Sequence, residues 1–190
     1  MSRSRMQPRG RRPLSRLDAT LERIQRWDER VCLRFNRAVR EGILLRAFRA
    51  VSRLGDGLFW YALMLALLLR FGREAAPAVV HMMLVGLACT ATYRALKKGT
   101  VRPRPYQVHA AISMGAAPLD RFSFPSGHAL HAVAFTIVAA SHYPWLAAPL
   151  ALFTLLVAAS RIVLGLHYPS DVLAGAFLGA VVALASLTFI

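Results

Sequence analysis

An all-α, polytopic membrane helix bundle of about five spans, preceded by an amphipathic helix at the membrane interface, is the fold class that three observations predict. The chain of 190 residues is 56% hydrophobic, high for a soluble protein of that size, and has room for one domain. Five apolar stretches of near-spanning length fill residues 54–190. The part before them is strongly basic and carries an apolar stripe at helical spacing.

The formal charge of +15 comes from 24 Lys and Arg against 9 Asp and Glu, and 15 of those bases precede Leu54. Residues 1–16 are rich in Arg, Pro, Gly and Ser without periodicity and read as a disordered basic tail. Residues 17–53 read as an amphipathic basic helical segment. In it Leu17, Leu21, Ile24, Trp27, Val31 and Phe35 recur at steps of three and four, with Arg16, Arg23, Arg26, Arg30, Arg34 and Arg37 between them. That pattern suits a helix lying on anionic lipid headgroups, or a solvated helix packed against the body. A basic head can also neutralise nucleic-acid phosphates, but ahead of membrane spans it reads as a surface anchor, and no nucleic-acid partner is expected. Cys32 and Cys89 have neither disulfide nor zinc spacing, and no secretory signal pattern follows the first arginines.

The apolar stretches are 54–71, 75–96, 129–143, 146–166 and 172–190. A bilayer core of about 30 Å needs about 20 helical residues, which the shorter stretches reach by extending into their flanks. Gly72, Pro144 and Pro169 stand at expected helix boundaries. Residues 43–51, interrupted by Arg46 and Arg49, are too short to span. Between the second and third stretches runs a polar connection, 97–125, where Pro103 and Pro105 forbid a regular helix.

Polar residues crowd at three span ends: Lys97 to Pro105, Pro125 to His128, and Ser160 to Asp171. Alternating spans put the end of the second, the start of the third, the end of the fourth and the start of the fifth on one face, so the three segments converge. At this point the sequence resembles the type 2 phosphatidic acid phosphatase family. Its first motif is matched by Lys97 with Arg104-Pro105, its second by Pro125-Ser126-Gly127-His128, and its third by Ser160-Arg161 with His167 and Asp171. The resemblance covers roughly residues 54–190, expected to be a membrane phosphatase domain, and three motifs in order are far more specific than one.

The chemistry can be rebuilt from the residues. Phosphoryl transfer needs positioning and stabilisation of charge on the equatorial oxygens, which Lys97, Arg104 and Arg161 would supply. Ser126 and Gly127 open a helix whose backbone N–H groups can face phosphate. His167 is the expected nucleophile, oriented by Asp171 four residues on, and His128 the acid that protonates the leaving oxygen and then activates water. The resemblance implies the same roles at these positions. No cofactor or metal is expected, because the three bases do the work of magnesium and the sequence has no carboxylate cluster to hold one.

His81, His109, His131 and His142 are expected to be structural, and Arg70, Arg73 and Arg94 snorkelling anchors. Arg102, also followed by proline, lacks a lysine at the motif spacing. The expected substrate is a membrane lipid phosphate or diphosphate: a polyprenyl (undecaprenyl) diphosphate, phosphatidic acid or phosphatidylglycerol phosphate. The alternatives are a lipid phosphotransferase on the same site and a non-catalytic anion-binding subunit. The expected location is a bacterial inner (cell) membrane. Five spans place the N-terminus on the face of the motifs, which its positive charge would keep cytoplasmic, whereas the resemblance implies an outer-face site as the alternative.

Overall fold

The computed structural model describes residues 16–39, 41–118 and 120–189, and among them every regular element is helical. The tail expected at residues 1–16 lies outside the described residues except for Arg16, which opens a helix.

Helix α1 (Arg16–Ala38) carries Asp18 in its first turn and Arg37 in its last, both favourable to the helix dipole. It buries Asp28, Cys32 and Asn36, spaced four apart, while Leu17, Leu21, Ile24, Trp27 and Phe35 stay exposed. The helix therefore packs by its polar face and turns its apolar stripe away from the body. A turn through Gly42, at φ +89°, leads into α2 (Ile43–Arg53), which lies along a later helix, α7 (Ala147–Val163). There Arg49 Nε donates to the Gly115 carbonyl at 2.5 Å.

Helix α2 does not stop where the apolar stretch begins. It continues through a π-helical turn, Leu54–Leu58, kinked at Gly57 with φ +127°, into α3 (Phe59–Phe71). Gly72, at φ +59°, ends α3, and a 3-10 turn leads to α4 (Ala76–Gly99). The polar connection holds one short helix, α5 (Pro105–Val108). Helices α6 (Gly127–His142) and α7 (Ala147–Val163) are separated by a 3-10 turn at Pro144–Leu146, and α8 (Pro169–Leu187) starts at its proline.

Among the described residues, three helical stretches are long and apolar enough to cross a membrane: Ile43–Gly99, Pro144–Val163 and Pro169–Leu187. The first includes the kink at Gly57 and the break at Gly72, so it holds α2, α3 and α4 rather than one helix. Helix α6, with 16 residues, is shorter. The surface agrees with a lipid surround, because Leu69, Leu84, Leu87, Leu155, Leu173 and Phe177 are all exposed.

Inside, Trp60, Met82, Leu130, Val138 and Val157 form the core with Phe135. Helices α6 and α8 pack most closely. A Cβ at Gly175 would overlap the Ser126 carbonyl oxygen, and one at Gly179 that of Leu130. This Gly-x-x-x-Gly face lets two backbones touch, as in membrane helix pairs, and it presses the start of α8 onto the start of α6.

Candidate active site

Each motif residue is placed by the end of a helix. Past α7, Leu166 N–H and His167 N–H both donate to the Arg161 carbonyl, and Gly165 turns the chain at φ +70°. Asp171 then reaches back to start α8, its Oδ2 accepting from Tyr168 N–H at 2.8 Å. The turn holds His167 at 2% exposure. Its Nδ1–H donates to the Ser123 carbonyl at 2.6 Å, so Nε2 carries the lone pair, with Arg104 Nη1 3.3 Å away. Burial first, then the Arg161 and Arg104 cations, hold this imidazole well below its usual range and keep it neutral.

This corrects one expectation. Asp171 Oδ2 lies 3.9 Å from His167 Nδ1, too far for a hydrogen bond, and a backbone carbonyl orients the ring instead. The Asp171 carboxylate is occupied by the Tyr168 amide and by Arg102 Nη1 at 2.6 Å. Arg102 also binds Asp28 of α1 at 2.7 Å and stacks over the Tyr168 ring. It belongs to the scaffold behind His167 and ties α1 to α8.

Arg104 is 1% exposed, and its Nη1 donates to the Leu166 carbonyl at 2.7 Å. Its Nη2 pairs with Asp120 at 2.8 Å, Lys97 pairs with the same carboxylate, and Tyr93 donates to it at 2.5 Å. Against the opposing effect of burial, the hydrogen bonds from Lys97 and Tyr93 hold the Asp120 carboxyl below its usual value. Asp120 thus neutralises two of the bases expected to grip phosphate.

On the other side of the site Arg161, 2% exposed, donates through Nη1 to Ser52 of α2, while its Nε has no partner among the described residues. Ser126 Oγ is fully buried and likewise unpartnered. Buried polar atoms are rarely left so. His128, in the first turn of α6, hydrogen-bonds through Nε2 to Asp56 of the π-helical turn.

Arg104, Gly127, His128, Arg161 and His167 all line one cavity of about 390 Å³. Its lining also includes the apolar residues Trp60, Met64, Met83, Leu87 and Phe135. Lys97 joins this group through Asp120, Ser126 immediately precedes Gly127, and Asp171 stands behind His167 without lining the cavity. Of the other histidines, His81 and His142 bond each other at 3.1 Å away from the cavity. His131 lines it, bonded to the Gly127 carbonyl at 2.9 Å.

Sequence reasoning missed Asp120, Asp56, Asp28 and Ser52. Two left a signal: Asp56 is the only acid in residues 54–71 and Asp120 the only acid in 97–125. A lone carboxylate at the edge of an apolar span is costly and calls for a partner.

A buried neutral histidine ringed by cations at one end of an apolar helical bundle defines a membrane protein built for phosphoryl transfer. The PAP2 superfamily model matches residues 74–190, more than half of the chain, and the protein belongs to that family. It is 37% identical to decaprenylphosphoryl-5-phosphoribose phosphatase of Mycolicibacterium smegmatis over 73% of this chain and 74% of that protein. It is 32% identical to undecaprenyl-diphosphatase BcrC of Bacillus subtilis, over 60% of this chain and 58% of that one. The crystal structure of a transmembrane PAP2 type phosphatidylglycerolphosphate phosphatase from Bacillus subtilis superposes with a TM-score of 0.71 at 26% identity, covering 88% of this chain and 86% of that one. The protein is thus an integral-membrane phosphatase.

Proposed function

We propose that this protein hydrolyses the phosphate or diphosphate of a long-chain membrane lipid through a phosphohistidine on His167. The observation that carries the reading is the His167 Nε2 lone pair, left free by the Nδ1 bond to the Ser123 carbonyl, in one largely apolar cavity with Arg161, whose Nε is unpartnered. An isoprenoid or acyl tail fits the apolar wall and a phosphate fits the cationic head. The polyprenyl substrates named for two relatives make a polyprenyl phosphate or diphosphate the leading class, ahead of phosphatidic acid and phosphatidylglycerol phosphate.

In the first half, Nε2 of His167 attacks phosphorus, the bond from phosphorus to the leaving oxygen breaks, and that oxygen keeps the electron pair and takes a proton from His128. In the second half, His128 takes a proton from water as the water oxygen attacks phosphorus. The N–P bond breaks, its electron pair returns to Nε2, and phosphate leaves. Lys97, Arg104 and Arg161 balance the charge throughout, assisted by Ser126 and the Gly127 amide. Asp120 gives up part of its hold on Lys97 and Arg104 when phosphate arrives.

Purified protein in detergent should release phosphate from a panel of these lipids, fastest from a polyprenyl substrate, and should keep its rate in EDTA. Release from none of them overturns the reading. Loss in EDTA restored by magnesium overturns the metal-free clamp.

Five membrane passes, α3, α4, α6, α7 and α8, with residues 54–190 as the catalytic body, are part of the same proposal. So is α1 lying on anionic lipid, its outward stripe in the headgroup layer. Helices α1 and α2 contact the site end of the bundle through Asp28 and Ser52, so the basic segment and the site share a face, which the positive-inside tendency makes cytoplasmic. Single cysteines in the N-terminal segment and in the 97–125 connection, on a background lacking Cys32 and Cys89, test this. Neither should react with an impermeant thiol reagent in intact cells, and both should after permeabilisation. Reaction of both in intact cells overturns the orientation, and reaction of one overturns the count of five.

A further inference from the structure

His128 is assigned a proton to give and to take, yet no motif supplies a group to hold its ring. The structure provides one from outside the matched family segment. Asp56, in the π-helical turn between α2 and α3, binds His128 Nε2 and lines the same cavity as His167 and Arg161. His128 Nδ1 has no partner among the described residues.

The local backbone is shaped for this contact. Gly57, at φ +127°, adopts a conformation that other residues rarely take. A Cβ at Gly55 would lie 3.0 Å from Val157 Cγ1 and 3.6 Å from His128 Cδ2, so the turn approaches α6 and α7 at a distance only glycine fits without displacement. An extra residue in a helix, placed as a π-turn, recurs where a side chain must be aimed at a site. Asp56 is also the only acid in its apolar stretch.

We infer that Asp56 is the positioning residue of the acid–base step: its carboxylate on Nε2 of His128 fixes the ring so that Nδ1 delivers the proton to the leaving oxygen and then receives one from water. This deepens the proposed phosphohistidine reading and rests on it. During proton delivery the N–H bond of Nδ1 breaks, its electron pair stays on the imidazole, and the leaving oxygen gains the hydrogen. Water reverses that bookkeeping in the second half. Asp56 keeps its charge in both halves and stabilises the imidazolium, in the manner of the acid behind a catalytic histidine in hydrolytic triads.

The opposing role for Asp56 is simple charge balance for Arg161. The two roles separate by leaving group, because protonation matters for an alkyl phosphate and little for an aryl phosphate. In the full-length Asp56→Asn protein, lipid phosphate hydrolysis should fall about 100-fold or more, the scale of a lost general acid. With 4-nitrophenyl phosphate the first turnover should survive and water activation should not. The result is a burst of nitrophenol stoichiometric with enzyme and an acid-labile phosphoryl label accumulating on His167. Asp56→Glu should recover part of the lipid rate. On a His128→Ala background, Asp56→Asn should cost nothing further, since the group it serves is gone.

Equal loss on both substrates without a burst, or a full additional loss on the His128→Ala background, overturns the inference in favour of charge balance. Unchanged lipid turnover in Asp56→Asn overturns it outright. Should Asp56→Asn fail to fold, Asp56→Glu alone and in the His128→Ala background makes the same comparison. These outcomes are distinct from failure of the phosphohistidine reading, which is signalled by the unmutated protein forming no labelled His167 under rapid quench.

Discussion

His167→Ala abolishes phosphate release from every lipid phosphate, a fall of about a million-fold that leaves only background, as expected when the nucleophile of a covalent mechanism is lost. The effect is so large because no substitute stands within reach. His128 has its Nε2 committed to Asp56, and Lys97 is held by Asp120. The neutral, cation-flanked imidazole of His167 has its lone pair directed by a fixed hydrogen bond, from Nδ1 to the Ser123 carbonyl, whereas the His131 ring is engaged at both nitrogens, by the Gly127 carbonyl and Thr90 Oγ1. The turn that carries it is held by backbone bonds to the Arg161 carbonyl and by Asp171 at the start of α8, none of which involves the imidazole. The variant should therefore insert and elute as the parent does, and only chemistry should be lost. Phosphate release at the parent rate, or a phosphoryl label still forming on the variant, would refute the mechanism.

Arg161→Met lowers kcat by about 100- to 1,000-fold, the range seen when one donor to a developing charge is removed. Methionine keeps most of the volume of the buried side chain, so the measurement reports the guanidinium rather than a cavity. Arg161→Lys should recover only part of the rate, because an ammonium at the end of a flexible chain cannot reproduce a planar fork anchored at Nη1 by Ser52 with Nε left unpartnered. Steady-state kinetics across a substrate series decides the matter. A rise in KM with kcat unchanged would mean that Arg161 anchors the ground state equally well and does not favour the transition state.

The sequence by itself determined the membrane character, the helical class and the ends of the apolar helices to within a few residues, except where α2 runs on into α3. These follow from local physics: apolar runs long enough for a bilayer, and Gly72, Pro144 and Pro169 where a helix must stop or can start. It also located the three motif segments by their residue pattern, and residues from all three line one cavity. The helix of α1 was legible in its spacing of three and four, but not the side by which it packs. That depends on what Asp28, Cys32 and Asn36 meet on the body, a polar network with Arg102, Ser170 and the carbonyls of Val163 and His167.

Only the tertiary structure decided the partners of the site residues. The Ser123 carbonyl precedes His167 by 44 residues, Asp56 precedes His128 by 72, and Ser52 precedes Arg161 by 109, and no spacing rule links such pairs. Spacing suggested Asp171 as the orienter of His167 because four residues bring two side chains together on a regular helix. Here the chain between them is a turn followed by a helix start, so the carboxylate is drawn to the Tyr168 amide and Arg102, and the imidazole turns to a carbonyl from the long connection. Periodicity reports which face of an element is apolar, whereas hydrogen-bond partners are chosen by whichever unsatisfied group folding brings within reach.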